Sequence, residues 1–249
     1  MIRVIAAREL RGLFLSPLAW TLLAVNEALL AWVFIILVND FQNTRGRLAA
    51  LEHAPGVTDL VVAPLLRVAA WGVLLLTPVL TMRLFSEERR AGTIDLLLSA
   101  PVSASQIVLG KYLGVLAFLL SAVALMALMP LALMAGATLD GGRVLAGLLG
   151  LGLLAASCAA AGLYLSSLTA QPIVAATATF GLLLAFWIVD LGAAQGTASA
   201  LFGYLSLPRH SDALLLGLVR SEDVAYYLLF SVAFLGLTIR RLDNLRLRG

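Results

Sequence analysis

The side chains of this chain that could do chemistry stand in three places. Asn26 and Glu27 lie inside a long apolar stretch, and Arg67 lies inside another. A second group, Glu87, Glu88, Arg89 and Arg90, is followed by Gly92, Thr93, Ile94 and Leu97 between two apolar stretches. A third, Arg8, Glu9 and Arg11, precedes the first stretch. Ionisable groups within apolar segments are costly and are candidates for function. With a helical rise of about 1.5 Å per residue, Glu27 and Arg67 fall within about one turn of the same depth. They are therefore expected to pair, or Glu27 to face a subunit interface. The alternative is a protonated, packed Glu27 and an Arg67 that snorkels to the headgroups.

These residues do not assemble into a catalytic motif. The Gly110-Lys111 pair is followed by Tyr112 and lacks the upstream glycine of a phosphate loop, so ATP hydrolysis is not expected in this chain. There is no HExxH motif, and Asp140 and Asp190 fall at the ends of apolar stretches. His53 and His210 are far apart, and the single cysteine, Cys158, sits in an apolar run. No metal site, disulfide or bound cofactor is expected, and the chain reads as a non-enzyme.

The residues that position these groups are mostly apolar. Hydrophobic residues make up 61% of the 249 and charged residues 12%, with a mean hydropathy of +1.01. Soluble domains hold roughly 45–50% apolar and about 25% charged residues. The composition therefore predicts an all-α integral membrane protein. The basic excess is not read as a nucleic-acid surface, because the cations flank apolar segments. Spans of about 20 residues are expected at 17–38, 60–84, 107–135, 144–168, 172–191 and 224–240. Residues 192–223 are too interrupted to cross and read as short helices dipping into the outer leaflet. With both termini cytoplasmic, Arg3, Arg8, Arg11, Arg83, Arg89, Arg90, Lys111, Arg240, Arg241, Arg246 and Arg248 fall inside. Only Arg45, Arg47, Arg143, Arg209 and Arg220 fall outside, as the positive-inside rule prefers. No cleavable signal peptide is expected, because Arg3, Arg8, Glu9 and Arg11 break any apolar leader.

Local signals refine this. Residues 1–15 place Ile2, Ile5, Ala6, Leu10 and Leu13 on one helical face and Arg8 and Arg11 opposite, which predicts an interfacial amphipathic helix. Glu9 falls on the apolar face and should meet a protein partner, such as the basic segment after the second span. Ser16-Pro17 reads as a helix start, and Ser103 with Gln106 as a capping box. Thr93–Leu98 is expected to form a short helix that stops before Pro101. Gly110 and Gly114, and Gly147 with Gly150, permit close helix packing, read as packing within the chain.

The run MRLFSEERRAGTIDLLL at 82–98, with PVS at 101–103 and IVLGK at 107–111, resembles the ABC-2 family of transporter permeases, most closely the gliding-motility-associated branch. ELR at 9–11, GLYLSSLT at 162–169 and DVAYY at 223–227 are similar to that branch as well. The resemblance implies one permease domain over 1–249. It has an N-terminal elbow helix (1–15), six spans, a cytoplasmic coupling segment (83–106) and re-entrant helices before span six (within 192–223). It implies that Glu87, Glu88, Arg89, Gly92, Thr93, Ile94 and Leu97 carry the coupling to separate cytoplasmic ATPase subunits, which hold the ATP and Mg. It implies a dimer with a second permease copy or related chain, a bacterial inner-membrane location and, in this branch, an accompanying subunit with a large extracytoplasmic domain. The activity implied is export. The alternative is a membrane transducer that passes ATPase-driven motion to an extracytoplasmic partner without transporting.

Overall fold

Long apolar runs without internal breaks satisfy their backbone groups within themselves, so each folds as a helix. A computed structural model describes residues 1–48, 55–94, 102–134, 136, 138–194 and 205–247. Among the described residues there is no strand. The helices are α1 (Ile2–Leu15), α2 (Pro17–Leu48), α3 (Ala63–Thr81, entered through a π-turn at Thr58–Val62) and α4 (Arg83–Arg90). They continue as α5 (Ala104–Leu133), α6 (Gly141–Leu168), α7 (Pro172–Ala194), α8 (Leu207–Leu215) and α9 (Ser221–Arg246). Six of them, α2, α3, α5, α6, α7 and α9, are long and apolar enough to cross a membrane.

The expected starts hold where a cap is present. Ser103 accepts a hydrogen bond from the Gln106 N–H, and the Gln106 side chain returns to the Ser103 N–H, closing the capping box. Asp140 accepts from the N–H groups of Gly142 and Arg143 and caps α6. Boundaries differ in extent. At 32 residues α2 is about 48 Å long, well beyond a hydrocarbon core of about 30 Å. The final helix runs from Ser221 to Arg246 instead of 224–240, because its polar ends extend past the apolar window by which spans are recognised.

Helix α6 is the hub, touching α3, α4, α5, α7, α8 and α9. Its small residues allow this: Ala155, Ser157, Cys158, Ala159, Ala160 and Ala161 are all buried. Thr81 of α3 packs directly on Gly162, where no side chain would fit. By contrast α2 buries little, leaving Val25, Leu29, Trp32, Ile35 and Ile36 exposed.

Charged contacts separate the bundle into two ends. At one, Arg246 Nη1 donates to the Val102 carbonyl at 3.3 Å and Arg89 Nη1 to that of Ser167 at 2.8 Å. At the other, Arg143 pairs with Asp59 at 2.6 Å and Thr58 Oγ1 accepts from the Asp140 N–H. Arg83, Arg89, Arg90, Lys111, Arg240 and Arg241 belong to the first end.

Candidate functional site

At the first end, α1, α4 and α5 converge on one ammonium group. Lys111 is 2% exposed, and its Nζ lies 2.8 Å from Glu88 Oε1 and 3.1 Å from Glu9 Oε1. It also sits over the Phe85 ring, 5.3 Å from the centroid. Arg8 joins through Glu9 at 3.1 Å. A buried ammonium needs this company, since an unpaired charge in a protein interior is strongly disfavoured.

Each partner is positioned by local rules. The apolar face of α1 is half-buried while Arg3, Arg8 and Arg11 are exposed. That face lies on α5, where Gly110 meets Ile5 and Gly114 meets Glu9; a Cβ on either glycine would stand 2.6 or 2.7 Å from those side chains. Farther on, the Phe14 ring meets that of Phe118 edge-on at 5.2 Å. The contacts run in the same direction along both helices, so α1 is seated on α5, not on the leaflet alone. The missing side chains at 110 and 114 are what let Glu9 reach Lys111.

The charged run after α3 is itself a helix. The chain turns at Met82 and continues as α4, burying Leu84, Phe85 and Ser86 against α6 and exposing Arg83, Glu87 and Arg90. Ser166 of α6 holds this corner: its Oγ accepts from the N–H groups of Phe85 (3.1 Å) and Ser86 (3.2 Å) and donates to the Met82 carbonyl (3.0 Å). Gly92, at φ +69°, stops the helix in a conformation that favours glycine. Thr93 and Ile94 follow it, Ile94 packing against the core. Most of the short helix expected at Thr93–Leu98, including Leu97, lies outside the described residues. Beside α4 an open trough of about 1030 Å³ runs to the α6–α7 turn, lined by Arg83, Glu87, Arg89, Arg90 and Gln171 among others.

Of the arrangements expected for the intramembrane groups, the Glu27–Arg67 pair is not formed. Arg67 does not pair with Glu27; its Nη2 donates to Asp212 Oδ1 of α8 at 3.1 Å. Glu27 Oε1 accepts from its neighbour Asn26 at 3.3 Å, and Asn26 abuts Gly72 of α3. Helical depth alone could not separate these outcomes, because the azimuth of each side chain is set by packing. Of residues 192–223, those described form the end of α7, α8 and the turn into α9. His210, noted in the sequence only as lying far from His53, is buried and sits 2.6 Å from Asp223 Oδ1 through Nδ1. It stacks on Tyr226 at 4.1 Å between ring centroids. The hydroxyls of Tyr226 and Tyr227 donate to the carbonyls of Leu205 and Leu207. The DVAYY stretch at 223–227 carries Asp223 and both tyrosines, and no spacing rule ties it to His210.

Among proteins of known family, the model described as "ABC-2 family transporter protein" matches residues 14–239. No curated protein matches the chain.

Proposed function

The chain belongs to the ABC-2 family of transporter proteins, and from that premise we propose that it is the membrane-spanning permease of an exporter driven by a separate ATPase. Six apolar helices and the family together make it a multi-pass membrane protein and a permease component. In this reading the basic end is cytoplasmic, α1 is the elbow and α4 with the segment after it is the coupling element.

The observation that carries the proposal is the Lys111 junction. It ties α1, α4 and α5 together at the end that carries most of the described arginines. A motor that pushes α4 would move α5 through Glu88–Lys111 and α6 through Ser166. The trough between α4 and Gln171 gives the motor a polar surface to grip. The interior of the chain is packed with small residues around α6, so a path through one copy is disfavoured. The exposed flanks of α2 and α7 suit a second copy, with the path opening between the two.

A photo-reactive residue placed at Glu87 or Arg90 tests the docking side. It should capture a co-expressed ABC ATPase partner, whereas one at Arg143 should not. Capture from Arg143 alone would put the motor at the wrong end and sink the proposal.

A further inference from the structure

Between α3, α7 and α8 lies a cavity of about 330 Å³ that the coupling account leaves unused. Its wall includes Arg67, Asp212, Trp71, Trp187 and Ser211. The volume is at the lower end of the range for small-ligand pockets. The Trp71 and Trp187 rings stand 4.6 Å apart at 48°. Arg67 and Asp212 are 62% and 46% exposed, so neither is sealed away by the other.

The pair is only partly used. One guanidinium nitrogen of Arg67 meets one carboxylate oxygen of Asp212. The remaining donors of Arg67 and the second oxygen of Asp212 have no partner among the described residues. The site therefore presents a fork of N–H donors that suits a phosphate. It also presents a carboxylate oxygen and two indole faces, which suit an ammonium. Its own charges cancel. A purely anionic or purely cationic guest would engage one of the two charged groups and not the other, whereas a guest carrying both charges engages both. Exposed apolar side chains continue from the cavity along the same helices, Leu75 of α3 one turn beyond Trp71 and Phe180 of α7 two turns before Trp187.

We propose that this cavity binds the zwitterionic amino-phosphate headgroup of a membrane lipid, with the phosphate on Arg67, the ammonium on Asp212 and the Trp71–Trp187 pair, and the acyl chains along α3 and α7. Assigning that lipid to the outer leaflet rests on the orientation proposed above; the binding itself does not.

The test uses the full chain in detergent without any ATPase, so its failure leaves the motor partnership untouched. Replacing Trp20 and Trp32 by Phe leaves Trp71 and Trp187 as reporters among the four tryptophans. Their fluorescence is followed while short-chain phosphatidylethanolamine, phosphatidylglycerol, a trimethylammonium lipid or free O-phosphoethanolamine is added. The zwitterionic lipid should saturate the signal, at least about tenfold more tightly than either singly charged lipid. Arg67→Ala and Asp212→Asn should each weaken it by about tenfold. Trp71→Leu, a change at a partly exposed ring, should weaken it by a few-fold, which keeps the test valid if a charge variant fails to fold. Equal binding of all the lipids, or zwitterion binding indifferent to these variants, overturns the site. Binding of free O-phosphoethanolamine as tight as that of the lipid overturns its assignment to a lipid.

Discussion

Lys111 Nζ stands 2.8 Å from Glu88 Oε1 although 23 residues separate them, and this contact joins the end of the second span's extension to the start of the third span's helix. With Glu9 at 3.1 Å, a single buried cation holds two carboxylates from two other helices.

Lys111→Met removes the cation and leaves the carboxylates facing each other. Breaking a buried pair by removing one partner costs about 3–5 kcal/mol. Glu9 and Glu88 keep some exposure, so about 2 kcal/mol is expected here, allowing for solvent screening. Denaturation of the detergent-solubilised chain measures it. Restoring Glu88→Gln in the Lys111→Met background should recover part of the loss, with a coupling of about 1 kcal/mol or more. Strictly additive effects would show that the junction is not a unit.

Gly114→Ala should detach Glu9 from Lys111, since the new Cβ would lie 2.7 Å from Glu9 Cβ and 3.0 Å from the Ala6 carbonyl. Overpacking of this kind costs about 1–3 kcal/mol. A spin label at Arg11, on the exposed face of α1, should become more mobile. An unchanged spectrum would mean that α1 does not depend on this contact.

Most of this bundle was readable in advance, and the reasons are local. An apolar run of span length, a Ser103–Gln106 capping box and a Ser16-Pro17 start each act through neighbours in sequence. Glu9 on the apolar face of α1 announced a partner, because a carboxylate there has no reason to face lipid. Its partner Lys111 lies 102 residues away, and no spacing rule reaches that far. Arg67 shows the same limit. Depth matched it with Glu27, but the side chain turns to Asp212, 145 residues away, because α8 folds back onto α3. The charged run at Glu87–Arg90 read as a loop with a helix after it. Its apolar members Leu84 and Phe85 have a face of α6 to bury against, and that tertiary contact makes the run helical.

Ser166→Ala would remove the acceptor shared by the Phe85 and Ser86 amides. A buried donor left without a partner costs about 1–3 kcal/mol. Amide exchange at Phe85 and Ser86 should accelerate, while exchange in the middle of α6 stays protected. Uniform acceleration along α6 would show global loosening instead of a released corner.

His210→Ala would leave the Asp223 carboxylate buried without its 2.6 Å partner. A hydrogen bond involving a charged group is worth about 1.5–3 kcal/mol, and that loss should fall on the α8–α9 corner. Proteolysis near Leu205–Gly217 should rise sharply, and His210→Asn should restore part of the resistance by offering a neutral donor. Equal resistance of wild type and His210→Ala would show that this pair does not hold the α8–α9 corner.

The central claim is that this end of the bundle engages a motor. The chain is co-expressed with its ABC ATPase partner and purified in detergent, with and without Gly92→Asp combined with Leu97→Glu. Gly92 lies at φ +69°, so an L side chain there is strained by about 1–2 kcal/mol and redirects the segment that follows. The account predicts a stoichiometric ATPase on the wild type and none on the double variant. An ATPase that stays bound to both would move docking away from α4 and its extension, and one that binds neither would contradict the claim outright.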